Sequence, residues 1–137
     1  NPLTELFQDK KSGGVFAVEN GTKHPILERA ILKTNFPYAK IVKKKPAELD
    51  RYGNGEAIRF ADGTLVSAEG TAAVYIISNG AKRAFTSGDV FESLGYNWSQ
   101  VVRSSGKTLA LHGDGEVIRL GVTIPDDLPP ALLAKTP

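Results

Sequence analysis

The apolar residues of this chain fall in short runs separated by turn-forming residues, and the clearest runs lie between Val74 and Val102. Val74-Tyr75-Ile76-Ile77, rich in β-branched and aromatic side chains, predicts a buried strand. Ser78-Asn79-Gly80 then turns the chain, because Asn and Gly tolerate the positive φ of a tight hairpin, and Ala81 to Phe85 returns as a second strand. Thr86 is placed to cap a helix, with Asp89 in its first turn to reach back and complement the helix dipole. Val90, Phe91 and Leu94 share one face of that helix, and Gly95 ends it in a left-handed conformation. Tyr96-Asn97-Trp98 leads to a returning apolar pair, Val101-Val102.

An imperfect copy of the same pattern runs from Val15 to Val42. Val15 to Val18 matches Val74 to Ile77, Asn20-Gly21 matches Asn79-Gly80, and Lys23-His24 matches Lys82-Arg83. Ile31-Leu32 stands for Val90-Phe91, while Phe36, Tyr38 and Ile41-Val42 stand for Tyr96, Trp98 and Val101-Val102. The match continues through a short helical turn, Pro46 to Tyr52 against Lys107 to His112. It ends in a Gly-x-Gly-Glu motif and a strand, Ala57 to Phe60 in one copy and Val117 to Leu120 in the other. The fold class expected is therefore α+β, with two tandem repeats of about sixty residues. Each is a small antiparallel β-meander with one helix, a returning strand and a short helical turn. The boundaries read as 1–62 for the first repeat with its N-terminal strand, 63–120 for the second, and 121–137 for a proline-rich tail or linker.

Composition narrows the class. The chain of 137 residues is long enough for a buried core, and its apolar and charged fractions of 41% and 23% are those of an ordinary globular protein. Its apolar runs of four or five residues are far below the roughly twenty that cross a bilayer, so membrane insertion is not expected. Cysteine is absent, which excludes a disulfide framework and a thiolate nucleophile. Methionine is absent too, which suggests a processed chain or an excised fragment.

The net charge of +2 is too small to imply a polyanionic partner, although Lys40, Lys43, Lys44 and Lys45 cluster in the first repeat. No aromatic residues interleave with those lysines, so nucleic acid is not the expected partner, and a lysine-dependent binder of nucleic acid or an anionic, teichoic-acid-like polymer stands as a third reading. Gly113-Asp114-Gly115-Glu116 lacks the alternating oxygen ligands of a calcium loop, so no metal or other cofactor is expected. His24 and His112 occupy non-equivalent positions in their repeats and read as exposed turn residues, and no serine or carboxylate has a nucleophile-elbow context. A catalytic site is therefore not expected. Aromatic residues are the better lead, since sugar rings stack on flat aromatic faces. Tyr96 and Trp98, with their counterparts Tyr38 and Phe36, are candidate ligand-binding residues, and Lys82, Arg83, Lys23 and His24 beside the turns could hold anionic groups.

The string VYIISNGAKRAF…VFESLGYNWSQVV, preceded by DGTLV, resembles a tandem repeat of bacterial secreted and surface-anchored proteins. The second repeat fits closely. The first departs in having Lys23-His24 for Lys-Arg and Phe36-Pro37-Tyr38 for the Tyr-x-Trp triplet. The resemblance implies an extracellular or cell-surface location and an accessory, non-catalytic role. The expected partner is thus a cell-wall polysaccharide or surface glycan. The alternative is a structural subunit of a fibre or surface layer, whose partners are copies of itself paired through the strand near Leu3 to Phe7 and the tail.

Overall fold

The computed structural model describes residues 4–121. Leu3 and the tail beyond Gly121 lie outside them, and so does most of the segment assigned to a linker. The chain divides into two compact units between Ile58 and Arg59. That is earlier than the boundary after Asp62 read from the repeat. The shift has a local cause: the Phe60 N–H donates to His112, and the Asp62 carboxylate accepts from the Asn79 and Gly80 N–H groups at 3.0 Å each.

The first unit contains β1 (Glu5–Asp9), β2 (Val15–Glu19), β3 (Thr22–Ile26), α1 (Arg29–Asn35), β4 (Ile41–Lys44), α2 (Pro46–Leu49) and β5 (Gly53–Asn54). β1, β2 and β3 form an antiparallel meander, with Phe7 opposite Phe16 and Val18 opposite Lys23. The turn between β2 and β3 uses Asn20 and Gly21 at φ 49° and 76°, the positive values that a two-residue hairpin loop requires. The chain after α1 does not extend the meander. β4 returns parallel to β1, with Leu6 beside Ile41 and Phe7 beside Val42, and the sheet order is β4-β1-β2-β3-β5. The sheet is mixed rather than purely antiparallel, because the helical connection carries the chain back to its starting end. β1 therefore has a partner on both edges, which leaves it none to offer a neighbouring copy by strand addition.

Phe7, Val18 and Leu49 make a buried cluster on one face of this sheet, flanked by Phe16 and Tyr52. α2 supplies Leu49 to it, and its start is fixed by the Glu48 carboxylate accepting from the Lys45 N–H at 2.9 Å. Ile31 of α1 is fully buried.

The second unit contains β6 (Leu65–Ala68), β7 (Val74–Ser78), β8 (Ala81–Ala84), α3 (Gly88–Ser93), a single 3-10 turn (Trp98–Gln100), β9 (Val101–Ser104) and α4 (Gly106–Leu109). Its sheet order is β8-β7-β6-β9, antiparallel except where β9 lies parallel to β6 with Leu65 beside Val101. Asn79 and Gly80 again carry the hairpin turn, at φ 51° and 77°. The helix cap falls one residue later than expected. Ser87 Oγ accepts from the Val90 N–H, whereas the Thr86 hydroxyl donates to the Ile118 carbonyl and is committed there. Gly95 at φ 89° closes the helix, as its sequence position predicts. Leu65, Ile76, Phe85, Val90, Phe91 and Ile118 form the core under α3, with Val74, Leu94, Tyr96 and Val101 packed around it.

The strands expected after each Gly-x-Gly-Glu motif are not regular strands. In the first unit Gly53, Gly55 and Ile58 donate from their N–H groups to the carbonyls of Gly21, Lys23 and Pro25. In the second unit Gly115 and Ile118 donate to Lys82 and Ala84, and Lys82 donates to Gly113. The partner spacing is wider on the glycine side, from Gly55 to Ile58 and from Gly115 to Ile118, so each segment bulges there and the ladder is interrupted.

Candidate functional site

The four basic candidates beside the turns hold the chain together. Lys23 Nζ donates to the Tyr52 carbonyl at 3.1 Å, and Lys82 Nζ donates to the His112 carbonyl at 2.7 Å. His24 Nδ1 lies 2.9 Å from the Glu56 carbonyl, which can only accept, so that nitrogen carries the proton. Arg83 Nε donates to the Glu116 carbonyl at 2.9 Å. Each pair thus clasps the Gly-x-Gly-Glu segment to its hairpin, satisfying carbonyls that the broken ladder leaves over. Lys82 also pairs with Asp114 at 3.1 Å, but Asp114 is 86% exposed and that ion pair adds little. An incoming anion would have to compete with these bonds.

The second glycine of each motif makes the clasp possible. A Cβ on Gly55 would stand 2.5 Å from His24 Nδ1 and 2.7 Å from Thr22 Cγ2, and one on Gly115 would stand 2.8 Å from Arg83 Cγ. By contrast, a Cβ on Gly113 would meet nothing within 4 Å. Gly55→Ala is therefore expected to destabilise the first unit by about 1–3 kcal/mol. Gly113→Ala should be close to neutral, and chemical denaturation of the two variants checks the contrast.

His112 is 1% exposed rather than lying on a surface turn. Its Nδ1 faces the Gly80 carbonyl at 2.8 Å and its Nε2 accepts from the Phe60 N–H at 3.2 Å, which fixes one neutral tautomer. The ring also stacks on Phe60 with centroids 6.0 Å apart. Burial lowers its pKa below the ordinary histidine value; the Gly80 bond opposes the shift, and the charges of Arg59 and Lys82 deepen it. Both ring nitrogens are occupied by backbone, so His112 ties the hairpin turn to the entry of the unit.

The aromatic candidates separate into two anchors, one exposed turn residue and one platform. Tyr96 is half-buried, edge-on to Phe85 at 5.3 Å and tilted against Phe91 at 5.6 Å. Burial raises its hydroxyl pKa, with Arg83 opposing. It is part of the packing. Phe36, also half-buried, closes α1 by donating its N–H to the Leu32 carbonyl. Tyr38 is 69% exposed on the turn that follows.

Trp98 differs from all of these. Its ring stacks on Phe91 with centroids 4.1 Å apart and planes at 26°, its Nε1 donates to Glu92 Oε2 at 2.7 Å, and 45% of its surface remains exposed. The indole rim passes over Gly88, where a Cβ would lie 3.4 Å away. Trp98, Phe91, Gly88, Ser87, Thr86, Phe85 and the Ala72-Ala73 loop line a cleft of about 420 Å³. The indole is held from beneath, from its nitrogen and along its rim, so it can receive a flat ligand without being reorganised. The partners that make it so, Phe91, Glu92 and Gly88, were not legible as site residues, because Phe91 carries the signal of a core position and the other two carry none.

Among the described residues no group of three or more histidine, cysteine, aspartate or glutamate side chains could hold a metal, and no helix is long and apolar enough to cross a membrane. No protein-family model matches the chain, and comparison with curated proteins gives no match.

Proposed function

We propose that the chain is a tandem of two copies of one repeat, belonging to an extracellular cell-envelope protein, and that its second copy binds a saccharide on Trp98 without catalysis. Support for the tandem comes from the shared order of strands and from the clasp. Lys23 with Tyr52 and Lys82 with His112 make the same bond at matching positions, as do His24 with Glu56 and Arg83 with Glu116. The surface location rests on the resemblance of the second repeat to those of secreted bacterial proteins.

The observation that carries the binding assignment is the fixed, half-open indole over its cleft. A sugar ring presents a face of C–H groups that stacks on such a surface, and the cost of ordering the indole is already met by Phe91 and Glu92. The basic candidates Lys82 and Arg83 support the fold of this copy rather than its ligand.

Co-sedimentation with isolated peptidoglycan sacculi tests the assignment. The chain should pellet with sacculi and remain bound at high salt, because stacking is not screened. Trp98→Ala should weaken pelleting by roughly tenfold or more, as for a central aromatic contact, while leaving far-ultraviolet circular dichroism unchanged. Full pelleting by the variant would remove Trp98 from the site. Loss of the folded signal would instead identify it as a core residue.

A further inference from the structure

The lysines of the first unit converge more than their spacing along the chain indicates. β1 ends at Asp9 and turns through Lys10 and Lys11, while β4 lies parallel beside it with Lys43 next to Gln8 and Lys44 next to Asp9. The Lys10 N–H donates to the Lys44 carbonyl at 2.9 Å, and Lys45 follows directly as the cap of α2. Lys10, Lys11, Lys43, Lys44 and Lys45 therefore meet at one end of the sheet. Lys10 and Lys11 were not part of the cluster visible in the sequence.

The carboxylates nearby bond backbone and keep their charge, which offsets part of the cluster. Asp9 Oδ1 accepts from the Lys11 and Ser12 N–H groups at 2.8 and 3.3 Å, and Glu48 Oε1 accepts from the Lys45 N–H at 2.9 Å. That last bond chiefly lowers the Glu48 pKa, and the charges of Lys44, Lys45 and Lys10 add to it, as their convergence requires. Among the described residues none of the five ammonium groups forms an ion pair. Lys44 Nζ sits 4.9 Å from the centroid of the Phe7 ring, which is only 4% exposed. Lys10 and Lys43 stand with Gln8, Asp9 and Gly13 around a second cleft of about 420 Å³.

We propose that this end of the first unit binds a linear polyol-phosphate polymer, with Lys10 and Lys43 meeting phosphates at that cleft, Lys11 and Lys45 extending the charged end beyond it and Lys44 fixed over Phe7. The assignment to an envelope polymer rests on the reading of the chain as an envelope module, but the surface is separate from Trp98. Its chemistry favours a polymer without bases. Lysine is a point charge that neutralises phosphate, the patch has no arginine fork to read a base edge, and the ring within it is covered, so no base can stack.

Titration of the full chain with synthetic poly(glycerol phosphate) over a range of salt tests the proposal. Binding should weaken as salt rises. Replacing Lys10, Lys11, Lys43 and Lys45 together with Gln should cut affinity at least tenfold and flatten the salt slope by roughly three. The matching four Lys→Arg variant should retain the charge and the binding. Trp98→Ala should leave it unchanged even where binding to sacculi is lost. The proposal is overturned if the polymer does not bind, or if the Gln variant binds as well as the parent. It is equally overturned if single-stranded DNA of equal charge binds as tightly, or if Trp98→Ala abolishes the interaction.

Discussion

Phe91→Ala is expected to destabilise the second unit by about 3–5 kcal/mol, the range for emptying a buried phenyl site. Phe91 is fully buried and meets Phe85 edge-on at 5.2 Å, Tyr96 at 5.6 Å and Trp98 at 4.1 Å. Truncation would leave a void that Val90 and Leu94, held on the same short helix, cannot close without moving it. The effect reaches the candidate site as well, since the indole would lose the ring beneath it. Phe91→Leu separates the two consequences. It keeps most of the apolar volume and should cost about 1–2 kcal/mol, yet it removes the flat support. Denaturant unfolding followed by tryptophan fluorescence reports on this unit alone, because Trp98 is the only tryptophan in the chain. Near-parental stability of Phe91→Ala would contradict the packing described.

The second large effect is expected at His112. His112→Leu fills similar space but leaves the Phe60 N–H and the Gly80 carbonyl without their ring partners, at about 1–3 kcal/mol for each buried group. The parent should also lose stability in mild acid. His112 has a lower pKa folded than unfolded, so its contribution is complete above the ordinary value of 6.5. As pH falls below that value the unfolded chain takes up the proton first. Stability therefore declines until the folded pKa is reached and then levels, because both states are protonated. The physical reason is burial, which disfavours the charged ring; a second ring proton would also point at the Phe60 N–H. His112→Leu should be less stable throughout and lack this step near neutral pH. A parent whose stability is flat between pH 7 and the carboxylate range would show that His112 is not the neutral buried ring described.

What was legible in the sequence was local. Asn20-Gly21 and Asn79-Gly80 announce two-residue turns because few other residue pairs accept positive φ, and the short apolar runs beside them mark the antiparallel hairpins. The helix end at Gly95 is set the same way. What was not legible depends on chain segments far apart in sequence. The parallel return of β4 onto β1 and of β9 onto β6 has no marker in either strand, since parallel partners share no turn. Thr86 looks like a cap until the Ile118 carbonyl arrives and takes its hydroxyl, which passes the cap to Ser87. Lys82 and Arg83 look like a solvated or ligand-binding edge because their carbonyl partners lie 30 or more residues on, at His112 and Glu116. His112 reads as a turn residue because nothing nearby shows that Gly80 and Phe60 will enclose it. At the candidate site, all four aromatic candidates were legible, but the proposed choice of Trp98 over Tyr96, Tyr38 and Phe36 was not. That choice depends on which rings pack inward, as Tyr96 and Phe36 do, and on the support that Phe91 and Glu92 give the exposed indole.

The central claim is that Trp98 is a preset stacking surface for a sugar, and its own fluorescence is the direct probe. Titrating the full chain with soluble glycan strands released from peptidoglycan should shift or quench the emission in a saturable way. The same titration should leave the far-ultraviolet circular dichroism unchanged. Binding detected independently by calorimetry without any change in Trp98 emission would place the ligand elsewhere, and the assignment of this cleft as the binding site would be wrong.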